Sequence, residues 1–177
     1  PTHPQSRRPS IAPTAVAFTA VHAGVTPVSV GGDSIGGSIV VRSADPEFAQ
    51  PGANLLQGEA GTYFRSNVDG WGGNLSGTFA TESVSLNYSG AYTRSDNYQA
   101  GDDFKNYAFT GRQGHTLPTD EVGSSAYESS NQTVRLAWQS DGHLLDFTYG
   151  FQDIPYEGYA NQRMDMTRNT SDQVNLR

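Results

Sequence analysis

The sequence predicts an all-β protein whose antiparallel meander forms part of a transmembrane β-barrel. Residues 55–177 alternate between apolar and small polar side chains, with the period of two that a strand with two different faces requires. The connections between the alternating runs are short and long by turns, and aromatic residues lie near the ends of the runs. These observations together favour a barrel wall over a soluble sheet.

The first hairpin is expected from the runs 71–80 and 83–94. A two-residue turn at 81–82 would place Phe79 opposite Val84 and would put the large residues of both runs on one face. Slipping one strand by a single residue would scatter those residues over both faces. The sequence therefore predicts both the pairing and the apolar face.

The same test applies to the runs 131–139 and 144–152. A turn at Ser140–His143 would place Leu136 opposite Phe147, again with the large residues on one face. Two further segments complete the predicted meander, and these are Leu56–Arg65 before the first hairpin and Val174–Arg177 after the second. We therefore expect five strands and the start of a sixth.

Alternation alone is also typical of a soluble antiparallel sheet with one wet face. The connections at about 95–130 and 153–172 are long, however, and long loops at one end with short turns at the other are typical of outer-membrane barrels. A sheet that spans a bilayer must close, and bacterial barrels begin at about eight strands. We therefore expect the chain to be a fragment of a longer protein.

Composition excludes several functions. The 177 residues include no cysteine, so a disulfide scaffold or a zinc-thiolate site is excluded. The formal net charge is −7 and Lys105 is the sole lysine, which argues against a nucleic-acid partner. Residues 1–20 carry Pro1, Pro4, Pro9 and Pro13, and we expect them to form a disordered lead-in.

A glycine-rich turn follows the short predicted strand Val28–Val30 and leads into a second strand, 38–43. The turn residues to which we assign a structural role are Gly31, Gly32, Asp33, Ser34, Gly36 and Gly37. This segment, followed by a long meander, resembles the junction of plug and barrel in TonB-dependent outer-membrane receptors. The resemblance divides the chain into the lead-in, the C-terminal part of a plug at 21–50, and the first barrel strands at 55–177.

The resemblance implies a 22-stranded barrel in the bacterial outer membrane that takes up a scarce nutrient through coupling to TonB. The TonB box itself would lie outside these residues. Segments such as Tyr92–Tyr98 and Ile154–Tyr159 resemble a branch of the family associated with uptake of copper or other metals. The implied partners are TonB, outer-membrane lipid, and a metal ion or metal chelate as cargo.

Soft metal donors lie in the two long connections. His115 is in the first, and Met164 and Met166 flank an aspartate in the second, so these three are the candidate substrate contacts. Arg65 and Arg135 fall on the polar faces of their strands, where they would line the lumen of a barrel. No bound cofactor is expected.

Two alternatives remain open. The segment Gly32–Gly36 fits the G-x-S-x-G pattern of a hydrolase, in which Ser34 would be the nucleophile. That motif requires a helix after the serine, whereas a β-branched run follows here, so we expect no enzyme. The second alternative is a soluble or secreted β-sandwich that acts as a binding module, which membrane fractionation would distinguish from a receptor.

Overall fold

The computed structural model describes residues 18–23, 37–42, 44–111, 113–160 and 165–177. The chain divides into two compact units, one ending at Glu47 and the other beginning at Phe48. The eight strands are β1 Phe18–His22, β2 Ser38–Arg42, β3 Leu55–Arg65, β4 Gly70–Ala80, β5 Val84–Ser95, β6 Tyr127–Ser140, β7 His143–Glu157 and β8 Asn169–Leu176. Helical structure in the described part is limited to the 3-10 turn Ser66–Val68. The predicted all-β class is thus confirmed.

The first unit contains an antiparallel pair in which Phe18 of β1 lies opposite Arg42 of β2. Strand β2 matches the second strand predicted there. Residues 18–20 belong to β1 and not to a disordered lead-in, because this proline-free segment of aromatic and β-branched residues suits a strand. Of the predicted turn, Gly37 is described, and its φ of 105° is one that glycine adopts at little cost. Gly31, Gly32, Asp33, Ser34 and Gly36 lie outside the described residues, as does the expected strand Val28–Val30.

The second unit is a six-stranded antiparallel meander in which β3 to β8 pair in chain order. The expected five strands and the start of a sixth are confirmed, although β8 begins at Asn169, before the predicted Val174. Within the described residues the sheet is open, with β3 and β8 at its edges. The structure therefore contains a meander without showing a closed barrel.

The hairpin of β6 and β7 has the predicted register, with Leu136 opposite Phe147 and Ser140 opposite His143. The turn residues Asp141 and Gly142 have φ values of 49° and 81°. Positive φ at both central positions defines the type I′ turn, whose twist matches that of paired strands and which favours Asp-Gly. The local turn sequence therefore fixes this register.

The predicted register of β4 and β5 is wrong by two residues, because Phe79 lies opposite Leu86 and not opposite Val84. The Thr81 N–H donates to the Val84 carbonyl at 2.8 Å, and the Val84 N–H donates to Thr81 Oγ1 at 3.1 Å. These bonds make Glu82 and Ser83 the turn residues. An even shift keeps each residue on its expected face.

The observed register places two tyrosines of β5 opposite glycines of β4. Tyr88 faces Gly77, and Tyr92 faces Gly73. The Tyr88 ring lies against Gly90 of its own strand, because a Cβ on Gly90 would lie 3.0 Å from the Tyr88 Cζ. The predicted register would instead have paired Tyr88 with Leu75 and Tyr92 with Trp71.

Burial in the sheet is opposite to that of a soluble core. We call the face that carries Leu86 and Leu136 the apolar face, and the face that carries Ser85 and Ala137 the polar face. On the apolar face the large side chains are exposed, whereas Ser85 and Ala137 are buried. Within the described part of the second unit, each strand packs extensively only against its neighbours in the sheet.

Candidate functional site

A row here consists of the side chains that lie opposite one another on successive strands of the apolar face. Each row is named by its β6 residue. The Leu136 row is apolar across the whole sheet. Its members are Leu56, Phe79, Leu86, Leu136, Phe147 and Leu176. Each of these side chains is between 38% and 82% exposed, so the row forms a continuous uncovered apolar stripe.

Three tyrosines on the apolar face donate their hydroxyls to polar residues of a neighbouring strand. Tyr92 donates to Glu128 Oε1 at 2.9 Å, Tyr88 donates to Gln132, and Tyr149 donates to Asp172. One end of the sheet carries the connections between β3 and β4, β5 and β6, and β7 and β8. Each acceptor lies one row nearer to that end than the tyrosine that donates to it. We call that end the loop end, and the opposite end the turn end.

The polar face carries a buried ion pair between Arg135 and Asp146. Arg135 Nε and Nη2 donate to the two Asp146 carboxylate oxygens at 2.8 and 2.6 Å, and Arg177 adds a contact of 3.2 Å. The Arg135 and Asp146 side chains are only 14% and 7% exposed. A paired arrangement of this kind compensates the cost of removing both charges from water.

Arg65 also lies on the polar face, as predicted from the alternation, but it is exposed. Its guanidinium carbon lies 5.1 Å from the centroid of the Tyr63 ring, which is within the range of a cation–π contact. The Tyr63 hydroxyl in turn hydrogen-bonds the Thr93 side chain. The sheet therefore places Arg65 and Arg135 on one face but in separate surroundings.

The connection from β5 to β6 spans 96–126 and is called loop A here. Asn97, at the start of loop A, hydrogen-bonds three residues near its end. Its side-chain oxygen accepts the Ser125 and Ala126 N–H groups at 2.9 Å each, and its side-chain nitrogen donates to Glu121 at 2.7 Å. Loop A therefore has its own internal hydrogen bonds. The sequence predicts that this connection is long but does not predict these hydrogen bonds.

Loop A is also bonded to the connection from β3 to β4. Asn67 Nδ2 donates to the Gln99 carbonyl at 3.1 Å, and the Gln99 N–H donates to Asn67 Oδ1 at 2.9 Å. The Asp96 N–H donates to the Val68 carbonyl at 2.9 Å. The Asn67 side-chain amide thus pairs with both the backbone N–H and the backbone C=O of Gln99, as a neighbouring strand would.

The connection from β7 to β8 spans 158–168 and is called loop B here; it is shorter than the predicted 153–172. Asp165 accepts the Ser124 hydroxyl of loop A at 3.0 Å and the Tyr156 hydroxyl at 3.2 Å. The Gly158 N–H donates to the Ala126 carbonyl at 2.8 Å, and a Cβ on Gly158 would lie 2.5 Å from the Ser124 carbonyl carbon. Hydrogen bonds and close packing thus join the two loops.

The phenol of Tyr159, in loop B, has a raised pKa. Burial raises the pKa of its phenol, and the neighbouring Glu157 carboxylate raises it further by charge and hydrogen bonding. The shift is away from neutral pH, so Tyr159 stays protonated and uncharged under ordinary conditions.

The candidate metal ligands lie in separate surroundings. His115 Nδ1 hydrogen-bonds the Thr110 hydroxyl at 3.0 Å in loop A, whereas Met166 pairs through its backbone with Glu157 in loop B. Met164 lies outside the described residues. Where the structure is described, no group of three or more His, Asp or Glu side chains could hold a metal ion.

The alternating pattern did not single out Asn97, Gly158 or Asp146 as important residues. For Asp146 a signal was available, because the predicted register of β6 and β7 already placed its carboxylate diagonally across from Arg135 on the polar face. For Asn97 and Gly158 the partners lie in irregular loops, whose contacts follow no sequence period.

No protein-family model, curated protein or solved structure matches this chain. No helix in the described ranges is long and apolar enough to cross a membrane.

Proposed function

We propose that the six-stranded sheet is part of the wall of a transmembrane β-barrel, and that the protein is a TonB-dependent receptor of the bacterial outer membrane. Its function would be the energy-coupled uptake of a scarce nutrient, with a metal ion or metal chelate as cargo. The receptor would bind its cargo and pass it inward without chemical change.

The observation that carries this proposal is the exposure of the apolar face. A soluble sheet buries its large apolar residues under a second layer, whereas here the Leu136 row is exposed from β3 to β8. An apolar band that faces outward, opposite a small and polar inner face, is the pattern of a barrel wall in lipid. We therefore expect this surface to contact the hydrocarbon of a bilayer.

The ends of the sheet support the same proposal. At the turn end the connections are the two-residue turns Glu82-Ser83 and Asp141-Gly142. At the loop end loop A and loop B are joined by hydrogen bonds. In outer-membrane barrels short turns face the periplasm and long loops face outward, so loops A and B would lie on the cell surface. The edges β3 and β8 would pair with further strands, because exposed backbone groups are too costly within lipid.

The TonB-dependent family is proposed from the resemblance of the glycine-rich segment and β2 to the end of a plug. The copper or iron content of cells that express the protein should rise in a strain with TonB and should not rise in a strain without it. Equal accumulation in the two strains would contradict TonB coupling while leaving the barrel proposal intact. His115→Ala and Met166→Ala, compared with Thr116→Ala, would show whether the soft donors affect uptake.

The absence of native cysteine in the sequence allows a direct test of the barrel. Val134→Cys places a thiol on the apolar face, and Thr133→Cys, one residue away, places a thiol on the polar face. In purified outer membranes we expect Val134→Cys to react with a lipid-soluble maleimide and not with a charged one. We expect Thr133→Cys to react with the charged reagent, because the polar face would be the hydrated inner face.

The same labelling distinguishes the alternative of a soluble or secreted β-sandwich. In a sandwich the Val134 position would lie in a protein core, so it would resist both reagents until the protein unfolds, and the protein would stay out of the membrane fraction. That pair of results would overturn the barrel proposal.

A further inference from the structure

The boundary between apolar and polar side chains crosses the rows of the apolar face obliquely. On β3 and β4 the apolar side chains reach the Glu128 row, where they end with Phe64 and Trp71. On β6 and β8 they stop three rows earlier, in the Val134 row, beyond which Gln132 and Asp172 follow. The intermediate strands end between these limits, β5 with Tyr92 and β7, up to its register shift at Glu128/Ser130, with Phe151.

The slope of this boundary can be calculated from strand geometry. Rows lie two residues apart, or about 6.8 Å, and neighbouring strands lie about 4.8 Å apart. A descent of three rows over five strand spacings is therefore about 20 Å over about 24 Å. This ratio corresponds to an angle of about 40° between the boundary and the rows.

The stagger of the two turns gives the slope independently of side-chain polarity. The β4–β5 turn closes at Thr81 and Val84, in the Trp138 row, whereas the β6–β7 turn closes one row further out, at Ser140 and His143. One row over two strand spacings, about 6.8 Å over about 9.6 Å, is an angle of about 35°. The two slopes have the same direction. Gln139 fixes the stagger, since its N–H and side chain donate to the Ser83 and Glu82 carbonyls at 2.9 and 2.8 Å.

We infer that the bilayer surface crosses the sheet along this oblique line, so that the strands are tilted by about 40° and the water boundary at the loop end passes through Trp71, Tyr92 and Phe151. This inference rests on the proposed function. It deepens that function by assigning the lipid-contacting surface residue by residue. A tilt of 35–45° is the one that closed transmembrane barrels adopt.

The three bonded tyrosines support this assignment. Tyr88, Tyr92 and Tyr149 each direct their hydroxyl one row towards the loop end, onto Gln132, Glu128 and Asp172. A tyrosine at a membrane surface keeps its ring in hydrocarbon and its hydroxyl on the polar side. Beyond this line β6 and β7 continue towards the loops and carry polar residues such as Ser130, Glu128 and Asp153 on the same face.

The test measures the depth of nitroxide labels in two rows. Leu75→Cys on β4 and Gln132→Cys on β6 share one row, and Phe79→Cys and Leu136→Cys share another. Spin labels at these sites, in the intact protein in phosphatidylcholine bilayers, report depth through their relative accessibility to oxygen and to a water-soluble nickel chelate. We expect position 75 to lie deeper than 132, and position 136 deeper than 79, by about 6 Å in each pair for a 40° tilt.

The outcomes separate this inference from the proposed function. Equal depths within each row, or differences of the opposite sign, would overturn the tilt while the protein remained a membrane protein. Labels shielded from both oxygen and the chelate at all four positions would indicate a covered core and would overturn both. The predicted reversal of depth between the two pairs would support both.

Tryptophan fluorescence repeats the test without cysteine. With Trp138→Phe, Trp71 is the remaining tryptophan of the sequence. The oblique boundary places Trp71 at the membrane surface, so bromines attached near the lipid headgroup should quench its emission more than bromines deep in the acyl chain. A boundary parallel to the rows would leave Trp71 well outside the bilayer, and the absence of quenching by any brominated lipid would overturn the inference.

Discussion

On the apolar face of the sheet Leu86 and Leu136 are 44% and 47% exposed, whereas on the polar face their chain neighbours Ser85 and Ala137 are 3% and 1% exposed. The same strands thus hide their small residues and present their large ones. Burial on the polar face comes from contacts within the sheet and from the ion pair of Arg135 and Asp146. The apolar face exposes its large side chains, which lipid would surround in the proposed barrel.

The largest effect is expected on the polar face. Asp146→Ala leaves the half-buried Arg135 without its carboxylate, which should lower the free energy of unfolding by about 3 kcal/mol. Denaturant titration of the protein in phosphatidylcholine bilayers measures the change. The double variant Asp146→Ala with Arg135→Met should recover part of the loss, and a double variant as unstable as the sum of its two single variants would argue against coupling.

Next in size is the effect of a charge on the apolar face. Val134→Arg should lower the free energy of unfolding by about 1–2 kcal/mol in bilayers, because the new charge would lie in hydrocarbon near the edge of the apolar face. Thr133→Arg, the matched variant on the opposite face, has Ser89 and Gly150 as cross-strand partners and should cost less than about 1 kcal/mol. Equal costs at the two positions would remove the proposed difference between the faces.

A smaller effect is expected at the turn that keeps the faces in register. Gly142→Ala forces a side chain into a φ of 81°, which should cost about 1 kcal/mol. Asp141→Asn keeps a residue that favours the type I′ turn and serves as the control. The same denaturant titration provides the measurement, and an unchanged midpoint for Gly142→Ala would show that the strands alone set the register.

The smallest effect is expected from the hydroxyl that Tyr88 directs at Gln132. Tyr88→Phe removes the bond to Gln132 and should cost about 0.5–1 kcal/mol. A gain in stability would show that the ring lies wholly in hydrocarbon, where a hydroxyl is unfavourable. Tyr98→Phe, which changes a ring in loop A, serves as a control for tyrosine loss elsewhere.

The two hairpins show what sequence reasoning can and cannot predict. The register of β6 and β7 was predictable because Asp141 and Gly142 favour one turn type. The register of β4 and β5 was not, because it depends on the bond between the Thr81 side chain and the Val84 N–H. Both hairpins nevertheless keep the predicted faces, since the error was an even number of residues.

The candidate site divides in the same way. Arg65 and Arg135 could be placed on the polar face by alternation, and the predicted register of β6 and β7 already set Asp146 diagonally across from Arg135. The metal-ligand candidates came from residue type alone. Their surroundings in loops A and B depended on Asn97, Asp165 and Gly158, whose partners are distant in the chain.

By itself the sequence determined the strand content, the two faces and the alternation of short and long connections, since a period of two and local turn residues are properties of neighbouring positions. Only the tertiary structure decided the strand register at Thr81, the union of the loops, and the oblique boundary across the rows. Those features depend on which residues become neighbours across strands, and a linear pattern does not contain that information.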